Sequence, residues 1–310
     1  MRLSHSLPVA SGPLALTIGN FDGVHRGHQA MLARLSVKAR ALGLPVAVLT
    51  FEPYPREMFS PQSAPTRLTS LREKLELLAA HGVDHVHVAR FNTAFAAISP
   101  AAFVEKVLVQ GLHARSVLIG DDFRFGARRG GDFALLRDAA AQHGFELEAM
   151  RTVEQAGMRL SSSAVREALA QGDLARAKAL LGRAYSISGR VVHGEKLGRK
   201  LGFATANVHM RHTSHNRPPL MGIYAVRMHG IAGHPWDGVA SLGLRPTVSD
   251  SGRAVLEVHL FDFSGNLYGR QVRVEFLHKI RDEEKYADLE TLRIQIARDC
   301  ESAKSYLSSN

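Results

Sequence analysis

The chain has 310 residues, 45% hydrophobic and 22% charged, which is the length and balance of two globular domains with sizeable cores. Its single cysteine excludes an internal disulfide and any cluster of several cysteines on a metal, and suits a reducing cytoplasm. A formal charge of +10 favours anionic ligands without choosing between nucleotides and nucleic acid. The opening MRLSHSLPVASGP holds no apolar region long enough for a signal peptide, and no apolar run approaches the roughly 20 residues of a membrane span.

Leu14–Ile18 is a nearly continuous apolar run, as in a strand buried on both faces of a parallel sheet. Gly19 ends it, Asn20, Asp22 and Gly23 supply turn chemistry, and a helix is expected from about Gly27, with Ala30, Met31 and Leu35 as its apolar face. His25 and His28 therefore fall where a strand C-terminus passes into a helix N-terminus. That crevice is where open α/β sheets bind ligands, and unpaired backbone N–H groups there welcome an anion. Gly27 between the histidines lets a phosphate approach the backbone. The spacing also fits a pair of surface histidines or part of a metal site, although no carboxylate or cysteine stands close enough in sequence to complete a zinc site.

Alternation then continues. Pro45–Phe51 is a second strand, followed by TFEPYP, whose prolines predict an extended loop. A helix over 70–80 leads into strand His85–Val88, and FNTAFAAISPAAFVEKVL gives an aromatic loop and a helix. Ser116–Ile119 is a fourth strand, breaking at Gly120 into DDFRFGARRGGDF. A helix over 133–143 and a strand near 146–150 complete a parallel, doubly wound sheet. In the loop at 120–131, Phe123 and Phe125 suit stacking on a planar ring, and Arg124, Arg128 and Arg129 suit phosphate; a solvated loop with one phenylalanine tucked under it is the structural alternative. RLSSSAVREAL, at 159–169, places Ser161, Ser162 and Ser163 before a helix, either as caps or as donors to a triphosphate, with Arg166 facing a leaving pyrophosphate.

After a short amphipathic helix ending at Gly182 the pattern changes. Ser186–His193, Gly222–Met228, Trp236–Leu242, Ala254–Phe263 and Gln271–Leu277 read as strands, and Leu256, Val258 and Leu260 alternate with Glu257, His259 and Phe261. Strands so spaced predict a small closed antiparallel barrel. A terminal helix should pack on it through Tyr286, Leu289, Leu292, Ile296, Cys300, Ala303 and Leu307. In GEKLGRKLGFATAN, Gly194, Gly198 and Gly202 allow the backbone to wrap a phosphate, and Lys196, Arg199 and Lys200 bring positive charge. Thr205 and Asn207 offer neutral oxygens suited to Mg²⁺. A basic turn on a nucleic-acid-binding barrel is the competing reading.

With their flanks these motifs point further. GNFDGVHRGH resembles the HxGH signature of nucleotidyltransferases, in the form carried by bacterial bifunctional riboflavin kinase/FMN adenylyltransferases. GDDFRFG resembles that family's flavin-contacting loop, and RLSSSAVR its ISSTxxR segment, with Leu160 and Ser163 as mild replacements. GRKLGFATAN resembles GRxLGFPTAN, SLGLRPTV resembles the GTRPT loop, and LEVHLFDFSGNLYG and LHKIRDEEKY resemble the stretches downstream.

The resemblance implies an adenylyltransferase domain over 1–182 and a riboflavin kinase domain over 183–310. It implies catalytic roles for His25, His28 and Arg166 in the first, and for Glu257, as base towards the riboflavin 5′-hydroxyl, in the second. Nucleotide or flavin contacts are implied for Gly19, Phe21, Gly27, Asn92, Asp122, Phe123 and the three serines, and for Gly194, Gly198, Gly202 and Arg281. Metal and ATP fall to Thr205 and Asn207. The implied partners are riboflavin, FMN and ATP with Mg²⁺, and neither nucleic acid nor membrane. The chain departs from the pattern at Tyr54, where histidine is usual, and at Ala204, Ser241 and Leu244. Tyr54 motivates a variant reading, a riboflavin kinase with a weakened first domain; the net charge motivates a remote one, an RNA-binding protein.

Overall fold

A computed structural model of the chain describes residues 1–5, 12–155, 157–194, 198, 201–210, 218–231, 233–245 and 253–309. The chain folds as two compact units, Met1–Pro65 with Leu71–Ser161, and Thr66–Ser70 with Ser162–Asn310.

In the first unit six strands are all parallel: β1 (Arg2–Ser4), β2 (Leu14–Ile18), β3 (Val46–Glu52), β4 (His85–Arg90), β5 (Ala114–Gly120) and β6 (Glu146–Met150), in the order β1-β4-β3-β2-β5-β6. From β2 the chain steps outward to β3 and β4, then returns to β5 on the other side of β2. The order thus reverses between β2 and β5, and the residues following those two strands share the crevice.

Successive β2 residues point to opposite faces, so the unbroken apolar run feeds two cores. Ala15, Val46, Val48 and Val86 pack with Leu32, Leu35 and Ala39 of α1 (Arg26–Leu42) and Leu78 of α3 (Leu71–Ala80). Leu14, Leu16, Ile18 and Leu49 pack instead with Phe103, Val107 and Leu108 of a π-register turn over Phe103–Val109 and with Leu136 of α6 (Phe133–His143). Shorter helices α2 (Pro55–Phe59), α4 (Thr93–Ala96) and α5 (Pro100–Ala102) occupy the loops. The extended path expected of TFEPYP ends at Tyr54: Pro55 fits the first position of a helix, and the Glu57 carboxylate accepts from the Tyr54 N–H at 2.9 Å. Two pieces, β1 and the hairpin of β7 (Glu154–Gln155) and β8 (Met158–Arg159), are too short to leave a periodic signal in the sequence.

In the second unit α7 (Ser162–Ala170) and α8 (Leu174–Leu181) precede a closed barrel, all of whose pairs are antiparallel. Its strands are β9 (Tyr185–Val192), β10 (Thr205–His209), β11 (Gly222–His229), β12 (Trp236–Arg245), β13 (Arg253–Leu260) and β14 (Gln271–Arg281), in the circular order β10-β13-β12-β11-β14-β9. Val226, Leu242, Leu256, Val258 and Val274 are buried inside, and the alternate residues look outward. Part of that outer face lies under α9 (Leu289–Ser308), whose Cys300, Ala303 and Leu307 pack on Ile223, Ala225 and Val239. Two members of the expected stripe fall away. Tyr286 precedes the helix, and Leu289 opens it 57% exposed, while Asp299 lies buried in the stripe.

Candidate active sites

After β2 the chain turns sharply, with positive φ at Phe21 (49°), Gly23 (77°) and Val24 (39°). This winding brings His25 out in extended geometry as the N-cap of α1, where its Nδ1 accepts from the His28 N–H at 3.4 Å. The two imidazoles stack at 3.7 Å between centroids, and the Phe21 ring lies 4.8 Å from that of His28. Phe21 is itself core, its side chain closed to any ligand. The buried Nδ1 of His28 has no hydrogen-bond partner, and the ring's pKa is held well below the usual imidazole value, first by burial, then by His25 and Lys74. A neutral ring donates one N–H without itself needing a counter-ion. A side chain at Gly27 would meet the Leu160 carbonyl at 3.0 Å and the His25 ring at 3.1 Å, so glycine lets the chain at Leu160 close on the pair.

Beneath this turn Tyr54, 4% exposed, donates its hydroxyl to Asp22 Oδ1 at 3.2 Å. Tyr54, at the position where the family usually has histidine, is thus buried with its hydroxyl on the Asp22 carboxylate.

A second feature is not legible in any one motif. Phe51, Phe59, Phe91, Phe95, Phe103, Phe123 and Phe125, half of the chain's 14 phenylalanines, line one cleft of about 630 Å³ together with Arg56, Arg124, Arg128 and Arg129. Aromatic walls with guanidinium at the rim suit a planar ring bearing phosphate. Phe123 is part of that lining, and Phe125, which also lines it, is largely core. Asp122 and Asn92 are not among the lining: Asp122 pairs with Arg159 at 3.1 Å, and Asn92 Oδ1 caps α4 by accepting from the Phe95 N–H. Gly19 stands 3.3 Å, at its would-be Cβ, from the Phe21 ring. Ser161 ends the first unit. Ser162 and Ser163 open α7 in the second, where Arg166 Nε donates to the Thr66 carbonyl.

In the barrel a cavity of about 340 Å³ lies between the outer faces of β10, β12 and β13 and helix α9. Thr205 and Asn207, two apart on β10, share the face that lines it. Across the ladders Glu257 stands in register with Asn207 on one side and Ser241 on the other. The chain at Gly194 and at Gly198 comes close over this face: a Cβ at Gly194 would sit 2.3 Å from Asn207 Nδ2, and one at Gly198 2.4 Å from the Phe203 carbonyl. Gly202 has φ +90°, a left-handed turn that favours glycine. Lys196, Arg199, Lys200 and the Pro246–Val248 part of the GTRPT-like loop lie outside the described residues.

Arg281 lines the same cavity, gripped by Asp299 through Nε–Oδ1 at 2.8 Å and Nη2–Oδ2 at 2.7 Å, an ion pair that raises the guanidinium's pKa further. Gln295 donates to the same carboxylate at 3.0 Å. Sequence reasoning passes over Asp299, whose burial on an otherwise apolar stripe is the available signal. It also passes over His259, whose Nδ1 lies 2.9 Å from the Ala204 carbonyl, and Glu283, which accepts from Ser241 Oγ at 3.2 Å. Among the described residues no group of three His, Cys, Asp or Glu could hold a metal unaided. Two neutral oxygens beside one carboxylate fit a hard cation that takes its remaining ligands from phosphate and water.

A helix-capped anion crevice in one unit and a phosphate-wrapping, carboxylate-bearing cavity in the other make this a phosphotransfer enzyme with two nucleotide sites. Residues 8–164 match the FAD synthetase family model and residues 181–307 that of riboflavin kinase. The bifunctional riboflavin kinase/FMN adenylyltransferase of Escherichia coli K12 is 50% identical over 291 residues, 94% of this chain and 92% of its own length. Those of Haemophilus influenzae (49%, covering 95% and 94%) and Pseudomonas fluorescens (48%, covering 98% and 96%) are similarly related. The chain belongs to the bifunctional riboflavin kinase/FMN adenylyltransferase family. A crystal structure from Streptococcus pneumoniae, described as a macrolide-efflux protein, superposes with a TM-score of 0.82 at 27% identity over 96% of this chain and 97% of its own. No helix among the described residues here is long and apolar enough to cross a membrane.

Proposed function

We propose that residues 183–310 phosphorylate riboflavin and residues 1–182 adenylylate the resulting FMN, each step using ATP. The observation that carries the reading is the register of Glu257 opposite Asn207 in the cavity between the barrel's outer face and α9, with Gly194 close over the Asn207 amide.

In the first step Glu257 takes the proton of the riboflavin 5′-hydroxyl as its oxygen attacks the γ-phosphorus, and ADP leaves. Thr205 and Asn207 would hold the triphosphate together with Mg²⁺, which would draw charge off the phosphate oxygens. Asp299 fixes the orientation of the planar Arg281 guanidinium on the flavin side of the cavity.

In the second step a phosphate oxygen of FMN attacks the α-phosphorus of ATP, and pyrophosphate leaves, with no covalent enzyme intermediate. The flavin lies in the phenylalanine cleft. His28, neutral, donates to a non-bridging α-oxygen where negative charge grows, and His25 holds His28 and the first turn of α1 in place. Asp122, Asn92, Gly19 and the backbone of Phe21, outside the cleft lining, take their nucleotide contacts from the resemblance alone, while Ser161 to Ser163 donate hydrogen bonds to the departing pyrophosphate and Arg166 offsets its charge. The free thiol of Cys300, pushed up to about 11 by burial, is unreactive and fits a cytoplasmic enzyme.

Purified protein incubated with riboflavin and MgATP should yield FMN, then FAD, on chromatography of the flavins, and chelation of divalent cations should stop both. Absence of both products would overturn the reading.

A further inference from the structure

Lys74, on α3, is 0% exposed, beneath the turn that carries the histidine pair. Its Nζ lies 3.4 Å from Thr50 Oγ1 at the end of β3 and 4.4 Å from the centroid of the Tyr54 ring. The same Tyr54 donates to Asp22, itself 2% exposed and three residues before His25. A fully buried ammonium is costly to keep even with its partners in place, since it has given up its hydration. A methionine would fill the space without that cost. Set in the first turn of α3, the cation also opposes that helix's own dipole, so helix stability does not account for it.

We propose that Lys74 is a positioning residue for adenylyl transfer, its buried ammonium fixing the Asp22 turn beneath His25 and His28 and adding positive potential where the α-phosphate docks. Low dielectric makes such a fixed charge effective without reorganisation during the reaction. The titratable groups around the turn include Asp22 and His25 from the turn itself, His28 from α1, Tyr54 from the loop after β3 and Lys74 from α3. Of these, Lys74 and His25 both hold the His28 ring neutral. Removing the ammonium relieves one of these restraints, so His28 takes up its proton at higher pH.

The inference rests on His28 acting at the α-phosphate, and His28→Ala tests that premise separately by abolishing FAD formation. In the full-length chain, Lys74→Met should lower kcat for FAD formation from supplied FMN at least tenfold. The KM for FMN should stay within about twofold, because the phenylalanine cleft is built from other residues. The acid limb of kcat should move to higher pH, and Lys74→Arg should return it. Riboflavin phosphorylation should be unchanged. A normal kcat in Lys74→Met, or a lowered one with the acid limb unmoved, overturns the proposal. Should that variant fail to fold, Tyr54→Phe cuts the link to Asp22 while leaving a ring under the ammonium. It should lower kcat severalfold with the acid limb in place, and full kcat there would equally overturn the proposal.

Discussion

Glu257 and Asn207 stand in direct register on adjacent antiparallel strands, and both line the cavity under α9. This pairing puts a carboxylate beside the amide oxygen taken to hold ATP, on the scale of one hydroxyl and one phosphate. Glu257→Gln keeps shape and removes the base. FMN formation should fall by about 10²–10⁴, while FAD formation from supplied FMN continues, as separate assays of the two steps would read.

Gly194 tests the close approach of the chain to the ATP-holding strand. A methyl group there would meet the Asn207 amide at 2.3–2.5 Å. Gly194→Ala should therefore raise the KM for ATP in the kinase step about tenfold or more, the equivalent of roughly 1.4 kcal/mol, with the adenylylation KM unaltered.

His28→Ala removes the donor aimed at the α-phosphate. FAD formation should drop by about 10²–10³, so that FMN accumulates from riboflavin at a normal rate. In the wild-type chain the low His28 pKa predicts that FAD formation holds its rate as pH falls through 6.5, where an ordinary imidazole would charge.

His87 gives a stability test away from both sites. It is buried beside Ser4 Oγ at 2.9 Å, and burial, followed by the proximity of His5, lowers its pKa to about 4. The folded chain holds it neutral while the unfolded chain protonates it near 6.5, so the unfolded state binds more protons between those values. The first unit should keep its full stability above pH 6.5 and lose it progressively down to about 4. His87→Leu should flatten that part of the dependence in denaturant titrations, at a cost of about 1 kcal/mol at about pH 8 from the lost Ser4 bond.

Asp299→Asn breaks the grip on Arg281. Leaving that guanidinium half-buried without its carboxylate should cost about 3 kcal/mol. It should also raise the KM for riboflavin more than that for ATP, read by melting and by kinase kinetics.

Local signals carry much of this protein. The run Leu14–Ile18 ending at Gly19, the alternation of Leu256 and Val258 with Glu257 and His259, and the glycine at 182 each act within a few residues. Backbone sterics and burial period alone are enough to write a strand, a face or a helix stop there. The same locality makes the histidine pair and the Thr205–Asn207 pair readable, since both lie on short contiguous segments. What the chain order leaves open are relations made by folding. Seven phenylalanines gathered from a strand, short helices and loops form one cleft, Tyr54 turns inward to Asp22, Lys74 rises from α3 beneath a turn far earlier in the chain, and Asp299 leaves an apolar stripe to hold Arg281. Each depends on which surfaces become neighbours when two cores close, and linear spacing holds no record of that distance. The amino-acid order therefore settled the elements, their faces and the motifs; the packed structure alone decided which groups were brought together, because burial and Coulomb forces act through space and not along the chain.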